Sequence, residues 1–298
     1  MEIIISGISG FVGTNLSKHL SERSFGITPL SLRNSNWKLN SDANGIIHLA
    51  GKAHDTKKIS SDEEYFKVNT QLTISLFDAY LESDISDFIY FSSVKAVADE
   101  VKNVLYEDHQ PSPKTAYGKS KLEAEEYILS REIPKGKRVF IIRPCMIHGP
   151  GNKGNLNLLF NVVKKGIPYP LASFKNERSF LGIDNLNFLV SEILENKQIP
   201  SGVYNFADDE VLSTNEVVRI ISSVLNKKDK SIAVPKIIIK GIAKIGDVIK
   251  FPLNSESIQK LTENYIVSNK KIKKAIGIEK LPNTVKQGLE KTIKSFVK

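Results

Sequence analysis

The chain has 298 residues, 41% of them hydrophobic, enough to bury a sizeable core. Its net charge of +9 falls entirely in residues 231–298, which carry 14 lysines, no arginine and 5 acids. These lysines are not interleaved with aromatics, which argues against a nucleic-acid surface, and a lone cysteine, Cys145, excludes an internal disulfide and suits a reducing compartment. The lysines read as a solvated face, with an anionic partner left open: a nucleotide diphosphate or a membrane surface. The N-terminus opens on an apolar strand pattern with no basic region before it, so no signal peptide is expected. No apolar run reaches transmembrane length, and the expected location is the cytoplasm.

In chain order, residues 2–6 read as a strand and 11–20 as a helix. Between them runs Gly7-Ile8-Ser9-Gly10-Phe11-Val12-Gly13. Gly7 permits a tight turn out of the strand. Gly10 lets backbone N–H groups approach a pyrophosphate, and Gly13 lets the helix pack close to the sheet. Residues 26–32 form the second strand. An acid after it would bind the ribose 2′-OH of NAD, whereas an arginine accommodates the 2′-phosphate of NADP. The segment Leu30-Ser31-Leu32-Arg33-Asn34-Ser35 has no acid. Arg33, helped by Ser31 or Ser35, therefore favours NADP(H), with NAD(H) left open.

Residues 45–50 are a buried strand, 61–82 a long helix and 87–93 (DFIYFSS) another strand. The helix 117–130 opens on Tyr117-Gly118-Lys119-Ser120-Lys121. A Tyr and a Lys four apart share a helix face. The ammonium is expected to lower the phenol pKa, so that the Tyr exchanges a proton near neutral pH. A hydroxyl from Ser92 or Ser93 at the preceding strand end would bond the oxygen undergoing hydride transfer. Residues 138–143 form a strand closed by Pro144. A loop at 149–154, a helix at 155–165 and a strand at 202–206 follow. Ser213 and Glu216 form a capping box that opens another helix. The remainder reads as helical and Lys-rich. Within it, 236–250 is a basic amphipathic helix, read as packed on its apolar face, with peripheral membrane contact left open. His48 and His54 lack carboxylate or Cys partners at metal spacing, so no metal site is expected. His148 reads as a packing residue.

The alternation of strands and helices implies an α/β fold: a doubly wound parallel sheet with a smaller, mostly helical lobe. Residues 1–144 with 182–208 would form the dinucleotide-binding part, and 145–181 with 209–298 the lobe.

Taken together, these residues resemble the extended short-chain dehydrogenase/reductases, the NAD-dependent epimerase/dehydratase family acting on nucleotide sugars. The resemblance rests on Gly7, Gly10 and Gly13; on His48-Leu49-Ala50-Gly51; on Asn69; on Phe91-Ser92-Ser93; on Tyr117 and Lys121; and on Arg143-Pro144 with Gly149-Pro150. It covers residue 1 to about 186, and more loosely the rest. It implies that Ser93, Tyr117 and Lys121 are catalytic. It implies that Gly7, Gly10, Phe11, Gly13, Arg33, Leu49, Ala50, Gly51 and Lys121 bind the cofactor. It implies that Ser93, Lys95, Asn155 and Arg178 contact a nucleotide-diphosphate sugar, and that Asn69 fixes backbone.

Two departures stand out. Family dehydratases carry an Asp-Glu pair after the catalytic hydroxyl, where this chain has Val94-Lys95; no dehydration is expected. The stretch 33–45 is short, so one crossover element is trimmed and Trp37-Lys38-Leu39 would cover the adenine. The phrases Ser92-Ser93-Val94-Lys95 and 149–155 resemble bacterial enzymes of O-antigen and capsule loci that reduce a UDP-4-keto-6-deoxy-N-acetylhexosamine. That resemblance implies NADPH-dependent reduction at C4. C4 epimerisation of a UDP- or polyprenyl-diphosphate-linked N-acetylhexosamine with retained NAD(H) is the alternative, and a non-catalytic NADP sensor a distant third. The oligomeric state stays open, a homodimer being compatible.

Overall fold

The computed structural model describes residues 1–34, 36–52, 61–152, 154–249 and 255–297. Ser35, His54 and Lys153 therefore lie outside the described residues. The elements run β1 (Glu2–Ser6), α1 (Phe11–Glu22), β2 (Gly26–Leu30), β3 (Gly45–His48), α2 (Asp62–Tyr65), a π-helical turn at Phe66–Gln71, α3 (Leu72–Glu82) and β4 (Asp87–Phe91). Next come a 3-10 turn at Val94–Ala96, β5 (Val104–Leu105), α4 (Ala116–Ser130), β6 (Arg138–Pro144), β7 (Met146–His148), α5 (Asn155–Lys164), β8 (Arg178–Gly182), α6 (Ile183–Glu195) and β9 (Gly202–Phe206). The chain ends with β10 (Val211–Leu212), α7 (Thr214–Val224), α8 (Lys236–Ile249), α9 (Ser255–Thr262), β11 (Ile266–Val267), α10 (Lys270–Ile276) and α11 (Val285–Val297).

Six strands form one parallel sheet in the order β2-β1-β3-β4-β6-β9. Helices cover both faces, which is why the strands read as unbroken apolar runs rather than alternating ones. On β1, Ile3 and Ile5 point toward Leu16 and Leu20 of α1 and Leu186, Leu189 and Val190 of α6. Ile4 points the other way, toward Leu76, Phe77 and Tyr80 of α3 and Ala124 and Ile128 of α4. The fold is thus the doubly wound α/β arrangement expected from the sequence. The strand order reverses between β1 and β3, and a crevice at the carboxyl ends of strands flanking such a point is where this architecture receives ligands.

The trimmed crossover is present. Between β2 and β3 the described residues contain no helix or strand, so β2 is the sheet edge. Trp37 and Leu39 pack against the cluster that contains Leu32 and Ala43.

A second core gathers residues late in the chain. Leu156 and Phe160 of α5, Val217 and Ile221 of α7, Ile239 of α8 and Leu289 and Ile293 of α11 pack around Phe180 of β8. The Ser213–Glu216 capping box is formed on both sides and starts α7. Two small sheets, β10-β8-β7 and β11-β5, were not anticipated. Their strands hold two to five residues each, too few for a period to register.

Candidate active site

Gly7 adopts φ +75°, and a Cβ there would lie 2.6 Å from the Ala50 nitrogen. A Cβ on Gly13 would lie 2.4 Å from the Gly7 carbonyl oxygen. Both positions demand glycine, one for the turn and one for close packing. Gly10 stays exposed and caps α1 without a side-chain bond, and the first turn of α1 holds no acid. The leading N–H groups of α1 therefore lack a side-chain partner and face a negative ligand favourably. This cradle fits the pyrophosphate of a dinucleotide. The loop 149–152 closes beside it: Asn15 Nδ2 donates to the Pro150 carbonyl at 3.3 Å. A Cβ on Gly149 would come within 3.3 Å of the Phe11 ring.

Leu49 and Ala50 are half-buried and Gly51 is exposed, just past β3. His48 anchors this strand end. Its Nδ1 shares a 2.6 Å hydrogen bond with Ser6 Oγ, and its Nε2 lies 2.9 Å from Thr73 Oγ1. Burial, aided by the Lys121 charge, drives its pKa down to about 3. It is a neutral structural pin.

Thr115 starts α4 by accepting from the Gly118 N–H at 3.2 Å. This cap sets the face that carries Tyr117 and Lys121. Tyr117 stands near Ser93, whose hydroxyl draws the phenol pKa down and which sits just past β4. Lys121 is 5% exposed; its Nζ donates to the Phe91 carbonyl at 2.8 Å and lies 4.8 Å from the Tyr90 ring centre. Burial lowers its pKa to about 8, and the Glu125 carboxylate pushes back. Ser93, Tyr117 and Lys121 are thus brought together at the carboxyl edge, beside the cradle. One expectation needs correction. The phenol of Tyr117 is raised above its usual pKa, because burial outweighs the lowering influence of the Ser93 hydroxyl. The Lys121 ammonium is turned to a backbone carbonyl instead of neutralising a phenolate.

Asn69 is fully buried in the π-helical turn. Its Oδ1 accepts from the Lys52 N–H at 2.7 Å; its Nδ2 donates to the Lys52 carbonyl at 3.2 Å and to Ser120 Oγ at 3.0 Å. It ties the backbone after Gly51 to α4. The turn replaces part of the expected unbroken helix 61–82, and such turns often mark functional sites.

The sequence reading missed the pair behind Lys121. Glu125, one turn further along α4, is fully buried and takes both Nε and Nη2 of Arg143 from β6. Arg143 Nη1 also donates to the Glu107 carbonyl at 3.1 Å. The signal was present: an acid four residues after Lys121, and an arginine at a strand end.

Of the remaining candidates, Lys95 adjoins Ser93, its backbone N–H donating to Ser93 Oγ at 3.2 Å. Lys95 Nζ donates to the Asp99 carbonyl at 2.6 Å and sits 4.5 Å from the Tyr265 ring centre. Its cation is thereby held within the fold. Arg178 begins β8, half-buried, and desolvation lowers its pKa against the opposing charge of Glu263. Arg33 is exposed past β2. Asn155 is the first residue of α5, and its side chain lies outside what is described.

A doubly wound dinucleotide fold that gathers a buried lysine, a tyrosine and a serine at its ligand edge defines an oxidoreductase-type class of protein. Comparison with known proteins gives the family. The model of the NAD dependent epimerase/dehydratase family matches residues 3–207. The chain is 30% identical to a UDP-glucose 4-epimerase of Vibrio cholerae, over 99% of this chain and 95% of that one. It is 27% identical to an N-acetyl-alpha-D-glucosaminyl-diphospho-ditrans,octacis-undecaprenol 4-epimerase of Escherichia coli O157:H7, over 98% and 94%. The fold superimposes on the crystal structure of a UDP-N-acetylglucosamine 4-epimerase from Bacillus cereus with a TM-score of 0.78, 20% identity and full coverage of both chains. The chain belongs to the NAD dependent epimerase/dehydratase family and is an NAD(P)-dependent enzyme. Among the described residues no helix is long and apolar enough to cross a membrane.

Proposed function

We propose that this enzyme exchanges hydride at C4 of a diphosphate-linked hexose or N-acetylhexosamine and interconverts its C4 epimers with a retained NAD(H). The carrying observation is the gathering of Ser93 and Tyr117 beside Lys121, which is buried on the Phe91 carbonyl at the carboxyl edge of the sheet. Bound NAD(P) supplies hydride exchange at the carbinol carbon. Ser93 Oγ orients the C4 oxygen, and Tyr117 Oη gives or takes its proton. The Lys121 ammonium, beside Gly51, would hold the cofactor ribose. Val94 is buried and Lys95 is turned to Asp99, so no carboxylate follows Ser93 to eliminate water. Epimerisation is favoured over reduction because the two relatives above match over nearly their whole length and are 4-epimerases. The cradle, Gly7, Gly10, Phe11 and Gly13 with Leu49, Ala50 and Gly51, holds the dinucleotide. Arg178 and Asn155 meet the diphosphate-linked sugar, and Lys95 stands at its edge. Residues 1–144 with 182–208 carry the cofactor, and 145–181 with 209–298 cover the substrate. The test is the cofactor released from the purified, denatured protein. Bound NAD(H) in near-equal amount with protein is expected; an empty site that takes up NADPH overturns epimerisation.

One observation favours the second reading, NADPH-dependent reduction of a 4-keto-6-deoxy-N-acetylhexosamine. Arg33 lies exposed past β2, with no acid in residues 30–34 to bind a 2′-OH. If Arg33 reads a 2′-phosphate, Arg33→Asp shifts preference from NADP to NAD by about tenfold or more, the size of one charge-assisted contact. Binding titrations with both cofactors measure this. An unchanged ratio removes Arg33 from cofactor selection.

A further inference from the structure

Helix α8 buries one face and leaves another uncovered. Ile239 and Ala243 point into the second core and are 1% and 3% exposed. Ile237 is 80% exposed, Ile238 50% and Ile242 41%. A Cβ at Gly241 would meet nothing within 4 Å. At 100° per residue, Ile237, Ile238 and Gly241 lie across the helix from the buried pair, with Ile242 at the margin. The approach to α8 continues the pattern. Ile232 is 50% exposed, and Ile167, on the turn bonded to that approach, is 49% exposed. Every exposed isoleucine among the described residues lies in this region.

Positive charge frames the patch. Residues 227–244 hold six lysines and one acid, Asp229. Asp229 accepts from Ser231 and pairs with Arg219. Lys230 Nζ is fixed on the Gly166 carbonyl at 3.2 Å, and Lys227 on that of Lys164. Lys244 is exposed beside Ile237, and exposed Lys236 stands over the Phe174 ring, its Nζ 5.4 Å from the ring centre.

Exposed isoleucines beside clustered lysines match an anionic bilayer surface, where the apolar side chains enter the headgroup boundary and the ammonium groups meet lipid phosphates. A second copy of this chain fits poorly. A two-fold contact would set the same lysine cluster against itself. We propose that the outward face of α8, with the adjoining Ile232 turn, docks this protein on an anionic lipid bilayer. The proposal is independent of the sugar chemistry.

The test is co-sedimentation of the full chain with vesicles of phosphatidylglycerol mixed into phosphatidylcholine, against vesicles of phosphatidylcholine alone. Binding to the anionic vesicles, weakened by salt, is expected. The variant Ile237→Glu/Ile242→Glu should bind them at least about tenfold more weakly, through lost apolar burial and added repulsion. A Leu129→Glu/Leu158→Glu control adds the same charge elsewhere and should bind as the parent does. Absence of binding to anionic vesicles overturns the proposal. So does an equal loss in the control, which would assign the effect to net charge. So does light scattering in which the isoleucine variant splits a dimer while vesicle binding persists. Epimerase or reductase assays on a soluble UDP-sugar should be unchanged in the isoleucine variant, so failure of docking is read separately from failure of the proposed reaction.

Discussion

Tyr117→Phe is expected to lower turnover by about a hundredfold or more, the scale of losing a positioned general acid–base group. The reason is local. Ser93 and Tyr117 stand side by side at the carboxyl edge, and a phenylalanine leaves the C4 oxygen without a proton relay. Cofactor binding should be nearly intact, because the glycine cradle at Gly7, Gly10 and Gly13 is untouched. Steady-state rates with cofactor titrations check both halves. A fully active Tyr117→Phe enzyme removes Tyr117 from the chemistry. The pH profile carries a sign. Lys121, lowered to about 8 by burial, loses its charge as pH rises through that value. Activity that needs this charge falls on the alkaline side.

The second large effect is structural. Glu125→Gln leaves the Arg143 guanidinium, 4% exposed, without its carboxylate. Breaking a buried ion pair by removing one partner costs about 3–5 kcal/mol, because the remaining charge cannot recover its water. Denaturant unfolding should show a loss of that size. The double variant Glu125→Leu/Arg143→Met should recover most of it, since neither member of the pair is left buried and charged without its partner. A second readout follows from the same change. Glu125 holds the Lys121 pKa up against burial, so its removal lets that pKa fall further. The alkaline loss of activity then moves to lower pH. A Glu125→Gln protein as stable as the parent contradicts the ion pair's role.

Where the sequence was informative, physics made it so. Glycines placed between a strand and a helix fix a turn that other residues cannot adopt, and Gly7 stands there at φ +75°. Tyr117 and Lys121 share a face because helix periodicity is rigid. Strand ends were less legible. Residues 49–50 and 92–93 were read as strand, yet the chain leaves the sheet at His48 and Phe91. Those departing segments build the site, and their apolar or hydroxyl composition does not announce the exit. The π-helical turn at Phe66–Gln71 was invisible because its side chains keep helical spacing. The Glu125–Arg143 pair joins residues 18 apart on separate elements, so the acid after Lys121 and the arginine at the strand end are each visible in the sequence while their contact is not. Charge proximity alone predicts a lowered Tyr117 pKa, and burial reverses the direction.

The most direct measurement offers UDP-N-acetylglucosamine to the purified enzyme and follows the sugar by NMR and mass. Inverted C4 stereochemistry, giving UDP-N-acetylgalactosamine at unchanged mass with no net cofactor consumed, is the predicted result. A 4-keto-6-deoxy product, lighter by one water, would contradict the account, because it requires the acid–base pair that Val94 and Lys95 do not provide.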